Sequence, residues 1–219
     1  MRIEAPDLAS PAFKANPYPF YARLRAEAPL FRTRLPLFGR VWLVTRYHDV
    51  LAFLKDERFA NDWSPRMPWL LLRFARTITH NMLNRDPPEH TRRSKNCCAM
   101  RARSKIASVR LARDAVPARG ETIRPGELIG LVLGSANHDA AQFPDPERLD
   151  IARAPNRHLA FGQGAHFCLG APLARLEGRI ALMTLFRRLP DLRLSQPAET
   201  LRWRKSLLLR GLERLPVAT

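Results

Sequence analysis

At 219 residues with 46% hydrophobic content, the chain can bury one core and the interface of two lobes. Its formal charge of +17 would attract nucleic acid, anionic lipid or an acidic partner. The basic residues are mostly arginines spread along the chain, with no aromatic-interleaved ridge or recognition-helix pattern, so a solvated surface is the reading and nucleic acid is not expected. No run of eighteen apolar residues occurs, and Met1-Arg2-Ile3-Glu4-Ala5-Pro6-Asp7 lacks the charged-then-apolar order of a signal peptide, so neither a membrane span nor export is expected. A cytoplasmic location follows as the expectation. The cysteines are Cys97, Cys98 and Cys168; the adjacent pair is poorly placed to bridge, and no Cys-x-x-Cys suggests zinc.

In chain order, Pro11 to Pro29 predicts an extended entry running into a short helix over Tyr21-Ala22-Arg23-Leu24-Arg25 that stops near Ala28-Pro29. Leu30–Thr33 and Val41–Thr45 flank Leu37-Phe38-Gly39, which predicts a hairpin. Tyr47 to Leu54 then reads as a helix with Asp49 near its start. From Trp63 to Phe74 the chain is apolar and proline-broken, open to a lid or to ordinary packing. Pro87 and Pro88 set up another helix start, with Glu89 in its first turn and His90 facing inward.

Residues 93–108 carry five basic residues, no acid and no clean apolar period, so they read as a solvated linker or a weakly specified helix. Beyond them, Gly120 and Pro125-Gly126 mark a turn between strands. The segment Ser135-Ala136-Asn137-His138-Asp139 and the run Phe143 to Asp150 lead towards Phe161-Gly162-Gln163-Gly164-Ala165-His166-Phe167-Cys168-Leu169-Gly170. A thiolate on a glycine-rich loop suits a thiolate-ligated metal, and glycines let backbone approach a flat, bulky cofactor. The helix opened by Pro172 follows, with Leu169, Leu173, Leu176, Ile180 and Met183 predicting a buried stripe. Its positive end and unpaired amides favour an anionic sulfur.

This ten-residue loop, with Ala171, Leu173-Ala174-Arg175 and Glu177 after it, resembles the heme-binding signature of the cytochrome P450 monooxygenases, especially the soluble bacterial kind. The pattern fixes aromatic, glycine, histidine, cysteine and glycine at set spacings, which makes it far more specific than a bare glycine motif. Val44-Thr45-Arg46-Tyr47 with Asp49-Val50, then Arg58-Phe59-Ala60, then Met82 to Arg92, and finally Phe143 to Asp150 also resemble the family's wording. His138 stands where the family usually has arginine, and Ser94 where it has an arginine one turn after His90.

The resemblance implies heme (iron protoporphyrin) ligated by Cys168, with Phe161 shielding the sulfur and Gly162, Gly164 and Gly170 shaping the loop. It implies His166, Arg110 and His90 as partners of the heme propionates. It implies a small apolar substrate and a redox partner protein. The expected fold class is mainly α with a small β portion (α+β), an incomplete member of the family lacking the central helices. The expected organisation is a partial N-terminal lobe over 1–92, an unmatched basic junction over 93–108 and a heme-binding segment over 109–219. Neither an Ala-Gly-x-x-Thr-like stretch, which would deliver protons on the distal side, nor a convincing Glu-x-x-Arg helix is found; Glu89-His90-Thr91-Arg92 and Glu121-Thr122-Ile123-Arg124 are chance matches. The catalytic residues are therefore unknown. Three functions stay open: oxygen insertion into an apolar molecule by thiolate-ligated heme iron, a non-catalytic remnant with weak or no heme binding, and a basic protein that binds polyanions or an acidic partner.

Overall fold

A computed structural model of the chain describes residues 3–35, 38–62, 108–206 and 209–219. Five α-helices and three small sheets are found among the described residues, in keeping with the expected α+β class. The largest sheet has five strands, and two of its neighbours come from opposite sides of the undescribed stretch.

Helix α1 covers Pro11–Ala15, where an extended entry was expected. Ser10 explains the difference: its hydroxyl accepts from the Phe13 amide at 3.1 Å, and Pro11 supplies a first residue with no amide to satisfy. Helix α2, Tyr18–Glu27, buries Tyr21 and Leu24 and ends at Ala28, before Pro29. Strands β1 (Leu30–Leu35) and β2 (Gly39–Val44) form the expected hairpin, with Leu30 opposite Val44 and Leu35 opposite Gly39. Helix α3 spans Tyr47–Lys55 and buries Tyr47, Val50 and Leu54, one face at helical spacing.

Strand β3 (Phe59–Ala60) pairs with β4 (Ser108–Ala112). The expected turn region forms the small hairpin β5 (Val116–Ala118) and β6 (Glu121–Ile123), followed by β7 (Leu128–Leu131). Strand β7 lies between β2, which it meets in parallel, and β4, which it meets antiparallel, giving the order β1-β2-β7-β4-β3. The pleat then divides the core in two. Trp42, Val44, Ile129 and Leu131 face a cluster with Tyr47, Val50, Phe143 and Leu159. Val41, Leu43 and Leu128 face the other side, against Phe13, Tyr21 and Leu24. Burial on both faces is why these strands read as continuous apolar runs.

Short helix α4, Leu133–Ala136, follows β7, and α5 runs from Ala171 to Arg188. Strands β8 (Arg193–Leu194) and β9 (Val217–Ala218) pair antiparallel in the last part of the chain. One expectation fails. The stripe on α5 is exposed, with Leu169, Leu173, Leu176, Ile180 and Met183 between 45% and 54% accessible. Leu182, Leu185 and Phe186 are exposed as well, so the helix is apolar on more than one side and no described element covers it.

Three donors converge on one carboxylate beside the sheet. The Glu127 carboxylate accepts from Trp42 Nε1 at 2.9 Å, the Arg124 amide at 2.9 Å and Arg32 Nη2 at 2.7 Å. Burial alone would raise its affinity for a proton, but these donors together hold the carboxyl below its ordinary range. Glu127→Ala strands the indole N–H of a buried tryptophan and should cost about 1–3 kcal/mol, measured by urea unfolding, with Glu127→Gln recovering part of the loss. Because the folded carboxyl titrates below its unfolded value, the wild-type advantage is present above the unfolded value and is lost as pH falls through the folded one.

His138 stacks on Tyr18 with ring centroids 3.8 Å apart, and its Nδ1 lies 3.0 Å from the Gly134 carbonyl oxygen. Burial pushes its pKa below 6.5, helped by Arg25 and Arg210 and opposed by the Gly134 contact and Glu147. The unfolded chain then binds the proton more readily, so stability falls as pH drops through the unfolded value. His138→Phe keeps a ring on Tyr18 and should reduce the fall in melting temperature between about pH 7.5 and 5.5, while His158, which shifts the same way, keeps its share.

Candidate functional site

The cysteine loop is built on α3 and α4. Its approach is fixed by Asn137 Oδ1, which accepts from the Leu159 amide at 2.7 Å, and by the Tyr47 hydroxyl, which donates to the Arg157 carbonyl at 2.7 Å. Asp139 Oδ2 accepts from the Tyr47 amide at 2.8 Å, satisfying the first turn of α3, where Arg46 provides no side-chain cap. Ser135 Oγ donates to the Thr45 carbonyl at 2.9 Å. The stretch Ser135 to Asp139 thus joins the end of β2, the start of α3 and the entry to the loop.

Within the loop, Gly162 and Gly164 sit at φ +71° and +75°, which side-chain-bearing residues adopt at a cost. Gly164 has a second constraint, because a Cβ there would lie 2.8 Å from the Leu54 carbonyl oxygen. The close approach made by this glycine is therefore to the backbone of α3. A turn of 3-10 helix, Gly164–His166, follows, and Asn61 Nδ2 lies in hydrogen-bond contact with His166 Nδ1 at 2.8 Å. The Cys168 amide donates to the Phe161 carbonyl at 2.8 Å and closes the loop. Gly170 is the N-cap of α5 at φ −81°, so its backbone needs no glycine.

Cys168 is free of disulfide and half-buried. Its neighbours Phe167 and Leu169 are 43% and 53% accessible, an apolar surround for a thiol. The Arg175 guanidinium, one turn into α5, lies 4.7 Å over the Phe161 ring, and His158 is 5.8 Å from the same ring. Arg110 is 5% accessible on β4, with Nη1 donating to Ser108 Oγ at 2.8 Å. The structure thus gathers Phe161, Gly162, Gly164, His166, Cys168 and Gly170 in one loop and puts Arg110 on the sheet. His90 lies outside the described residues. Asn61 and the Leu54 carbonyl carried no signal in the sequence, and Arg175 stood in the motif without an assigned contact.

A half-exposed thiol on a glycine-turned loop at the head of a helix, ringed by apolar side chains and fixed in place by two other elements, is the kind of site that presents sulfur to a metal cofactor. Residues 99–210, just over half of the chain, match the sequence profile of the cytochrome P450 family. The chain belongs to that family. Among curated relatives, it is 54% identical over 108 residues to the mycinamicin IV hydroxylase/epoxidase of Micromonospora griseorubida, a stretch covering 49% of this chain and 27% of that protein. It is 48% identical over 110 residues to the 6-deoxyerythronolide B hydroxylase of Saccharopolyspora erythraea, covering 50% of this chain and 27% of that protein. The chain thus spans about a quarter of the length of the curated relatives it matches. The fold resembles that of the Bacillus subtilis bacillaene polyketide synthase cytochrome P450 PksS, with a TM-score of 0.82, 22% identity and coverage of 98% of this chain and 99% of that one. None of the described helices is long and apolar enough to cross a membrane.

Gly164→Ala combines a positive φ with a backbone collision, so it should destabilise the chain by about 2 kcal/mol or more. Thermal unfolding is the measurement, with Gly170→Ala, which meets no conformational penalty from φ, as the milder comparison.

Proposed function

We propose that the chain binds heme through Cys168 and belongs to a monooxygenase that inserts oxygen into a small apolar molecule. The observation that carries this reading is the Cys168 loop itself. A free thiol follows a 3-10 turn, its amide is tied back to Phe161, and exposed Phe167 and Leu169 flank it as a flat macrocycle requires. The donor set fits a heme-thiolate centre, whose ligand is a single sulfur anion.

Bound there, heme would supply the family's reductive activation of dioxygen for insertion of one oxygen atom into a C–H bond. The chain's own residues do the rest. Cys168 would ligate the iron and supply it with electron density. Phe161, held under the Arg175 guanidinium, shields the sulfur from water. His166, steadied by Asn61, and the buried guanidinium of Arg110 suit carboxylate groups of the cofactor, with His90 as a third such donor. Relatives named as hydroxylases support oxygen insertion as the reaction class, and a redox partner protein would supply electrons.

A second reading, a heme-binding chain without turnover, is favoured by one observation: α5 shows its apolar sides with no described element over them. It agrees with the absence from the sequence of a distal acid–alcohol stretch and with an internally shortened chain, organised as a lobe over 1–92, a basic junction over 93–108 and the cysteine segment over 109–219.

The test is the absorption spectrum of the purified chain given heme, reduced and exposed to carbon monoxide, beside Cys168→Ala. A strongly red-shifted Soret band in the wild type that vanishes in the variant is expected. Identical spectra in the two proteins would sink thiolate ligation. Product formation with a chemical electron donor then separates the monooxygenase reading from the heme-binding one.

A further inference from the structure

The β1–β2 hairpin concentrates positive charge in a way the cysteine loop does not use. Strand alternation puts Arg32 and Arg34 on one face of β1, and the register sets Arg34 directly opposite Arg40 and Arg32 opposite Trp42. With Thr33, the three arginines line an open groove of about 780 Å³. Arg32 is engaged: its Nη2 lies 2.7 Å from Glu127 Oε1 and its guanidinium 5.2 Å over the Trp42 ring. Arg34 and Arg40 are exposed and make no hydrogen bond or ion pair among the described residues.

Like charges placed directly across an antiparallel pair repel, and a groove focuses the repulsion. A multiply charged anion between them would convert that penalty into attraction, because each guanidinium presents a planar fork of donors matched to phosphate oxygens. With Arg32 held by Glu127, the two uncommitted forks of Arg34 and Arg40 face each other across the strand pair, an arrangement suited to a ligand that offers one phosphoryl group to each. Trp42 is only 6% accessible, so the groove offers no ring on which a nucleic-acid base could stack.

We propose that Arg34 and Arg40, flanked by Arg32, form a binding site for a soluble ligand that carries adjacent phosphoryl groups. The site is separate from the cysteine loop and its occupancy does not depend on heme.

The experiment is isothermal titration of the full chain with inorganic pyrophosphate at about 0.15 M salt, where diffuse surface attraction is screened. Saturable binding at one site is expected, weakened about tenfold or more in Arg34→Gln/Arg40→Gln. Arg187→Gln/Arg188→Gln removes the same charge from the exposed end of α5 and should leave the affinity unchanged. The single variant Arg40→Gln carries the comparison if the double variant does not purify. No saturable binding overturns the proposal and leaves the arginines as guards of the β1 edge. Equal loss in both double variants also overturns it, as does binding to phosphatidic acid vesicles with none to pyrophosphate.

Discussion

The parallel pairing of β2 with β7 is the constraint on which the rest of this chain depends. Val41 to Val44 come from one side of a long intervening stretch and Leu128 to Leu131 from the other, and their register decides which side chains face which core. A slip of one residue would turn Trp42, Val44, Ile129 and Leu131 away from the cluster under the cysteine loop and bring Val41, Leu43 and Leu128 into it. Gly130 shows how tightly the pairing is made. A Cβ there would lie 3.1 Å from Leu43 Cδ2, so the strand's missing side chain is filled by its neighbour's.

From β7 the consequence passes directly to the site. Helix α4 begins two residues after the strand, and the polar groups that follow it reach in three directions: Ser135 to the end of β2, Asp139 to the first amide of α3, Asn137 to the approach of the loop. The loop then rests on α3 through the one position, Gly164, where backbone meets backbone. Cys168 is thus located by the sheet through a short chain of hydrogen bonds and one steric contact. The loop's own sequence supplies the turns, and α3 with the residues after α4 supplies the seat.

Much of this was legible in the sequence, for identifiable reasons. The hairpin, α3, the Pro-Gly turn and the start of α5 all follow from local chemistry: period-two runs, an acid in a first turn, prolines and glycines at punctuating positions. The loop was legible because its motif fixes residue types at set spacings. What stayed hidden is non-local. Nothing near Asn61 marks it as the partner of His166, 105 residues away, because that bond depends on how α3 and the loop are packed. Helix α1 was missed for the opposite reason, a local signal of only three residues, Ser10, Pro11 and the amide of Phe13.

The α5 stripe is the most instructive failure. Periodicity reports that a helix has an apolar side, and it cannot report whether anything covers that side. Here the apolar residues extend beyond the stripe to Leu182, Leu185 and Phe186, a composition suited to a helix enclosed by neighbours on several sides. Relatives of about four times the matched length have the chain to provide such neighbours. The loop at the head of α5 is held by α3 and α4, so its geometry does not require that enclosure. Its apolar flank does, since Phe167 and Leu169 continue the same exposed surface. A flat cofactor against the loop and polypeptide against the helix would therefore bury adjoining parts of one surface.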